Sequence, residues 1–194
     1  IGVRAFSDCD SLTSITLPDS LTSIDANPFA CCSKLTDIIV SPDHPTLEVI
    51  DGVLFYKPEK RLVCYPCAFT ADSYTVPQGI RVIGDSAFDE CPSLTNIALP
   101  DSVTTIGDRA FSDCDSLTSI TLPDSVTSIG DYAFYQNTAL KTATVEGTSE
   151  LVTIGAYAFG SDTAFTEFTI PASVTTVGES AFNGCSALAI EVAG

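Results

Sequence analysis

Ile106-Gly107-Asp108-Arg109-Ala110-Phe111-Ser112-Asp113-Cys114-Asp115-Ser116-Leu117-Thr118-Ser119-Ile120-Thr121-Leu122-Pro123-Asp124-Ser125-Val126-Thr127-Ser128-Ile129-Gly130 is one period of a repeating sequence. Its opening hexad, Ile/Val-Gly-x-x-Ala-Phe, recurs from Ile83 to Phe88, Ile129 to Phe134, Ile154 to Phe159 and Val177 to Phe182. It also opens the chain, from Ile1 to Phe6, and returns in degenerate form from Ile24 to Phe29. The repeat Phe residues are separated by 23, 59, 23, 23, 25 and 23 positions. A fixed period in the twenties marks a solenoid of leucine-rich type. Residues 6–24 and 111–129 differ only at Leu21 versus Val126, so the array grew by duplication.

Within a period, Ile120-Thr121-Leu122 alternates with period two and reads as a short strand. Pro123 ends it, because proline cannot donate to a ladder. The Asp-x-Ala-Phe-x-x-Cys run after each Gly changes to helix-like spacing, enough for a turn or two of α or 3-10 helix. The expected fold class is therefore an α/β repeat solenoid of about 23 residues per coil, with short parallel strands and short helical turns, stacked around Leu, Ile and Phe columns. Residues 1–194 read as a single array with one irregular segment, about 41–73. The 59-residue interval holds two periods of 23 with 13 residues over. There, Gly52–Tyr56 and Arg61–Tyr65 flank Lys57-Pro58-Glu59-Lys60, a β-hairpin with a four-residue turn that either protrudes or forms an atypical coil. At the other end, Leu188-Ala189-Ile190-Glu191-Val192 is one residue short of the repeat, so the last strand is expected to slip register or fray.

The unit Leu-x-x-Ile-x-Leu-Pro-x-Ser-Val-x-x-Ile-Gly-x-x-Ala-Phe-x-x-Cys closely resembles the BspA-like leucine-rich repeats of bacteria and protozoa. The resemblance covers nearly the whole chain. Asp51-Gly52-Val53-Leu54-Phe55, Tyr65-Pro66 and Tyr74-Thr75-Val76-Pro77 look like that family's long variant repeat. It implies a non-enzymatic, extracellular or cell-surface module for protein–protein interaction or adhesion, its partner being host matrix or another cell surface. An inert stalk for another domain is the first alternative. A carbohydrate-binding or enzymatic region supplied by the insertion is the second.

The chain carries 25 Asp and Glu against 8 Lys and Arg, for a formal net charge of −17. Such a balance excludes non-specific nucleic-acid binding, which needs clustered cations. Hydrophobic residues at 45% exclude disorder. No run of 18 apolar residues inserts into a membrane. The sequence has no Met and no leader pattern, and is expected to be a piece of a longer protein, monomeric in itself.

Five of the eight cysteines, Cys9, Cys32, Cys91, Cys114 and Cys185, stand three residues after a repeat Phe, where Asn137 and Asp162 stand in other copies. They read as a structural ladder of free thiols. Cys64-Tyr65-Pro66-Cys67 is a C-x-x-C whose readings are zinc, redox, a local disulfide or free thiols, the last being favoured together with Cys31. Asp85, Asp108 and Asp131 follow the repeat Gly and are expected to cap the turn after it rather than hold a cation. His44 is the only histidine, and no nucleophile elbow or nucleotide-binding Gly motif exists. No catalytic residue, metal site or cofactor is therefore expected. The outward strand residues, such as Thr118, Ser119 and Thr121, form a hydroxyl-rich face read as scaffold. The candidate binding residues are Phe55, Tyr56, Lys57, Lys60, Arg61 and Tyr65, where basic and aromatic residues collect in the hairpin.

Overall fold

In the computed structural model, which describes residues 1–192, both apolar segments of the repeats from Val82 onward become strands, whereas the Ile1 and Ile24 copies of the Ile-Gly segment do not. In chain order these are β1 (Ser14–Thr16), β2 (Asp37–Ile39), β3 (Leu47–Ile50), β4 (Val53–Tyr56) and β5 (Arg61–Cys64). Then come β6 (Ser73–Thr75), β7 (Val82–Ile83), β8 (Asn96–Ala98), β9 (Thr105–Ile106), β10 (Ser119–Leu122) and β11 (Ser128–Ile129). The last are β12 (Thr142–Val145), β13 (Thr153–Ile154), β14 (Glu167–Ile170), β15 (Thr176–Val177) and β16 (Ala189–Val192). The Ile-x-Leu strands stack in parallel as β1–β2, β6–β8 and β10–β12–β14–β16. The Ile-Gly strands form a second wall in the order β15–β13–β11–β9–β7, extended by β5, β4 and β3.

The fold is a β-solenoid, which corrects the α/β expectation. Among the described residues the helical element is a single 3-10 turn, Lys57–Glu59, inside the hairpin. The run after each Gly does not wind into helix because it meets left-handed backbone twice per coil. Ser86, Arg109, Tyr132, Tyr157 and Ser180, each just before the repeat Ala, have φ between 53 and 58°. Glu90, Asp113, Gln136 and Ser161, two residues after the Phe, have φ between 56 and 65°. A residue in that conformation stops a right-handed helix.

Identical positions interlock from coil to coil. Phe88, Phe111, Phe134, Phe159 and Phe182 stack with centroids 5.0 to 5.4 Å apart and ring planes within 17°. Four of these rings, Phe88, Phe111, Phe134 and Phe159, are fully buried, each worth roughly 1.5–3 kcal/mol of transfer free energy. The thiol ladder bonds the carbonyl of the preceding coil's aromatic: Cys32 Sγ to Phe6 O at 3.0 Å, Cys114 Sγ to Phe88 O at 3.0 Å, Cys185 Sγ to Phe159 O at 2.8 Å. Asn137 serves the same role with two donors, to Phe111 O and Phe134 O. The expected Asp caps instead reach across coils. Asp85, Asp108 and Asp131 accept the backbone N–H of Asp108, Asp131 and Ala156 at 3.0, 2.8 and 2.7 Å. Coils approach so closely there that a Cβ on Gly130 would lie 2.6 Å from Asp108 N, which is why glycine recurs.

The irregular segment is a partition, neither a protrusion nor a repeat coil. Asp51 and Gly52, both at positive φ, join β3 to β4 in a two-residue turn, and β4 pairs antiparallel with β5. Both faces of this three-stranded piece are apolar. Leu54, Val63 and Cys64 pack into an N-terminal core with Leu17, Ile24, Phe29 and Leu35. Val53, Phe55, Leu62 and Tyr65 pack into the larger C-terminal core. β5 then starts the parallel wall by pairing Leu62 with Ile83 of β7. The final strand keeps its register: β16 pairs with β14 over four rungs, Glu167↔Ala189 to Ile170↔Val192. The missing residue is absorbed before the strand begins.

Candidate functional site

The hairpin residues singled out by composition divide between core and joint. Phe55 and Tyr65 are buried and unavailable as contact residues. Tyr65 takes the place of the repeat Phe, stacking on Phe88 at 5.1 Å, and burial pushes its hydroxyl pKa up to about 12. Arg61 is consumed internally. Its Nη1 donates to Asp25 O at 2.7 Å, its Nη2 to Ile24 O at 2.8 Å and its Nε to Glu59 at 2.8 Å. Lys57 Nζ donates to His44 O. His44 is itself buried, with Nδ1 accepting the N–H groups of Thr46 and Leu47 and Nε2 paired with Pro18 O. Lys60 is exposed and Tyr56 half-buried under the Arg61 guanidinium. The basic cluster therefore fastens the N-terminal coils to the partition.

The hydroxyl face is also engaged. Thr36, Thr95, Thr118 and Thr166 each donate Oγ1 to a carbonyl of the preceding coil, at 2.9 to 3.3 Å. It opens in one place. β12 and β14 pair only at Thr142↔Glu167, whereas β10–β12 and β14–β16 close four rungs each. Two extra residues in the loop after β12, with Gly147 at φ +55°, separate the coils there. The result is a groove of about 530 Å³ lined by Thr144, Thr148, Ser149 and Thr169, with Glu167 as its acidic group. Ser173 also lines it, and its Oγ is buried without a partner.

A different cluster has the chemistry of a recognition surface. Tyr132 and Tyr157 stack with ring centroids 5.1 Å apart and planes 6° apart. Tyr135 meets both edge-on, at 5.3 and 6.5 Å. Arg109 lies over Tyr132 at 4.6 Å. All four are half-exposed. Gly160 makes room for the third ring, since a Cβ there would sit 3.0 Å from Tyr135 Cδ2. Mutual stacking holds the rings before any partner arrives, which lowers the ordering cost of binding.

The BspA type leucine-rich repeat region, in six copies, matches residues 1–61 and 60–189. The chain belongs to that family. Among solved structures, the pneumococcal vaccine antigen PcpA superposes over 100% of this chain with a TM-score of 0.79 at 23% identity. The chain spans about half of that protein, 48% of its length. A leucine-rich repeat protein of T. pallidum shares 26% identity over 77% of this chain and 70% of its own, with a TM-score of 0.62. One from Eubacterium ventriosum shares 23% over 90% and 59%, at 0.57. No curated protein matches the chain.

Within this BspA-type array the tyrosines depart from the repeat. The left-handed position before the Ala holds Ser86, Arg109, Tyr132, Tyr157 and Ser180 in successive coils. Ser86 is buried there, whereas Arg109, Tyr132 and Tyr157 are half-exposed and stack as a continuous column. Aligning that column across copies is the sequence signal that would have found it. The other candidate groups are placed as follows. All eight cysteines are free thiols. Cys31 and Cys67 share a cavity of about 370 Å³ with Glu90, Asp113 and Asp115. Among the described residues no group of three His, Cys, Asp or Glu side chains has the spacing of a metal site.

Proposed function

We propose that this chain is a non-enzymatic, surface-displayed protein-interaction module that contacts its protein ligand through Arg109, Tyr132, Tyr135 and Tyr157. The observation that carries this reading is the stacked Tyr–Arg column itself. Tyr and Arg, with Trp, are the residues most enriched among binding hot spots, and here mutual stacking holds them in place on the scaffold. The family's leucine-rich repeats and the structural likeness to PcpA, a vaccine antigen, support display outside the cell, with adhesion to host matrix or another cell as the role. The test is binding of purified chain to decellularised epithelial matrix. Tyr132→Ala/Tyr157→Ala should weaken it at least tenfold, about 1.4 kcal/mol. Equal binding by the variant removes the column as the contact. Failure of the wild type to bind removes the adhesive role.

The groove between β12 and β14 favours a second reading, a short oligosaccharide held by hydroxyls and Glu167. Its apolar floor includes Phe168, which is buried and offers no stacking platform. A glycan array with wild type and Ser173→Ala separates the readings, because only groove binding responds to that change.

A further inference from the structure

The partition brings two thiols from different coils to one carbonyl oxygen. Cys67 Sγ lies 3.3 Å from Asp89 O, and Cys91 Sγ lies 3.9 Å from the same atom and from Tyr65 O. Both thiols thus converge on the Asp89 carbonyl. Cys67 stands two residues after Tyr65, the aromatic that replaces the repeat Phe, whereas ladder cysteines stand three after theirs. It therefore approaches Cys91 off the ladder register, free of the parallel side-chain vectors that strain a bond between equivalent positions. Cys64, its C-x-x-C neighbour in sequence, is buried in the other core across the partition.

We propose that Cys67 and Cys91 are a thiol–disulfide exchange site that takes small cationic disulfides. Cys67 is the attacking group, since it is half-buried and lines the 370 Å³ cavity, while Cys91 beneath it is fully buried. Hydrogen bonding from Cys91, and from the backbone N–H groups of Cys67 and Cys31, lowers the Cys67 pKa below the ordinary thiol value. Cys31, in the same cavity, is pushed up to about 12, chiefly by burial and then by the charges of Asp89 and Glu90. The thiolate is the nucleophile in such exchange, so the two cavity cysteines differ in reactivity. Glu90, Asp113 and Asp115 surround the opening and repel anionic reagents while attracting cations.

The reaction balances in two steps. Cys67 thiolate attacks one sulfur of the disulfide R–S–S–R, forming Cys67–S–S–R and releasing R–S⁻. Cys91 gives up its proton to solvent and attacks the Cys67 sulfur, forming Cys67–S–S–Cys91 and releasing the second R–S⁻. Two protein thiols are oxidised and one small disulfide is reduced to two thiols. The product ties the partition covalently to the coil that follows it.

The test treats the reduced wild-type chain with cystamine, alkylates what remains free, and maps the peptides by mass. The expected product is a Cys67–Cys91 cross-linked pair, lighter by two hydrogens, with Cys31 alkylated. Cys91→Ser should stop the reaction at a cysteamine adduct on Cys67. Cystamine should react faster than glutathione disulfide, which is anionic, and the ratio should fall as salt is added. A first adduct on Cys9 or Cys31, or a Cys67 adduct in the wild type that never closes onto Cys91, overturns the proposal. The wild-type map decides the matter even where Cys91→Ser disturbs the core.

Discussion

Asp162 occupies the ladder position that Asn137 fills one coil earlier, and replacing it with Asn should stabilise the protein in a pH-dependent way. Asp162 is fully buried. One carboxyl oxygen accepts the Asn137 N–H at 2.7 Å, and the other has no partner. Burial pushes its pKa from 3.8 up to about 9, against a smaller opposing pull from the Asn137 hydrogen bond. The folded state thus holds a proton that the unfolded state releases above pH 4. Stability from this group is complete below about pH 4 and falls as pH rises, until the folded carboxyl ionises near pH 9. The limiting slope is about 1.36 kcal/mol per pH unit, on the order of 3 kcal/mol between pH 5 and pH 7. Asn carries no charge and offers Nδ2 where Asn137 donates to Phe111 and Phe134. Urea unfolding followed by circular dichroism from pH 4 to pH 9 measures the difference between Asp162→Asn and wild type. Asp89, raised to about 6 mainly by burial, titrates in both proteins and cancels. The variant should match wild type near pH 4 and exceed it by a margin that widens through pH 8. A difference that stays flat with pH would refute the neutral, buried Asp162.

Three further substitutions probe the stack. Gly130→Ala places a Cβ 2.6 Å from Asp108 N and Gly107 C, so the melting temperature should fall by the equivalent of about 1–3 kcal/mol or more. Asn137→Ala removes two donors and leaves the Cys114 N–H, bonded at 2.8 Å, without its acceptor. The cost should be roughly 3 kcal/mol in urea unfolding, with Asn137→Cys losing less because it can still bond Phe111 O. Arg61→Ala strips the clamp on Ile24 O and Asp25 O. Hydrogen exchange should accelerate in residues 24–40 by the equivalent of about 2–4 kcal/mol while residues 105–160 stay protected.

The repeat was legible because duplication prints each structural position many times. The Ile-x-Leu strands, the Phe column and the thiol ladder all sit where the 23-residue period puts them. Helix was expected from the Asp-x-Ala-Phe-x-x-Cys spacing, but left-handed residues at positions such as Arg109 and Asp113 carry no side-chain signature that would announce them. The partition had a signal that composition obscured. Val53-Leu54-Phe55-Tyr56 and Leu62-Val63-Cys64-Tyr65 are continuous apolar runs, and such a run marks a strand buried on both faces. Asp51-Gly52 between two apolar pairs was likewise a hairpin signal. Basic residues nearby drew attention to recognition, whereas Arg61 and Lys57 serve to fasten coils. The tyrosine column was not legible because Tyr132 and Tyr157 lie 25 residues apart, across a coil whose loop adds two residues to the period.

The claim that recognition lies on the tyrosine column and not on the hairpin is tested most directly by one paired binding measurement. Wild type, Tyr132→Ala/Tyr157→Ala and Tyr56→Ala/Lys60→Ala are compared on the same decellularised matrix, each first shown to be folded by circular dichroism. The column variant should lose at least tenfold in affinity and the hairpin variant should bind like wild type. Loss confined to the hairpin variant would contradict that claim.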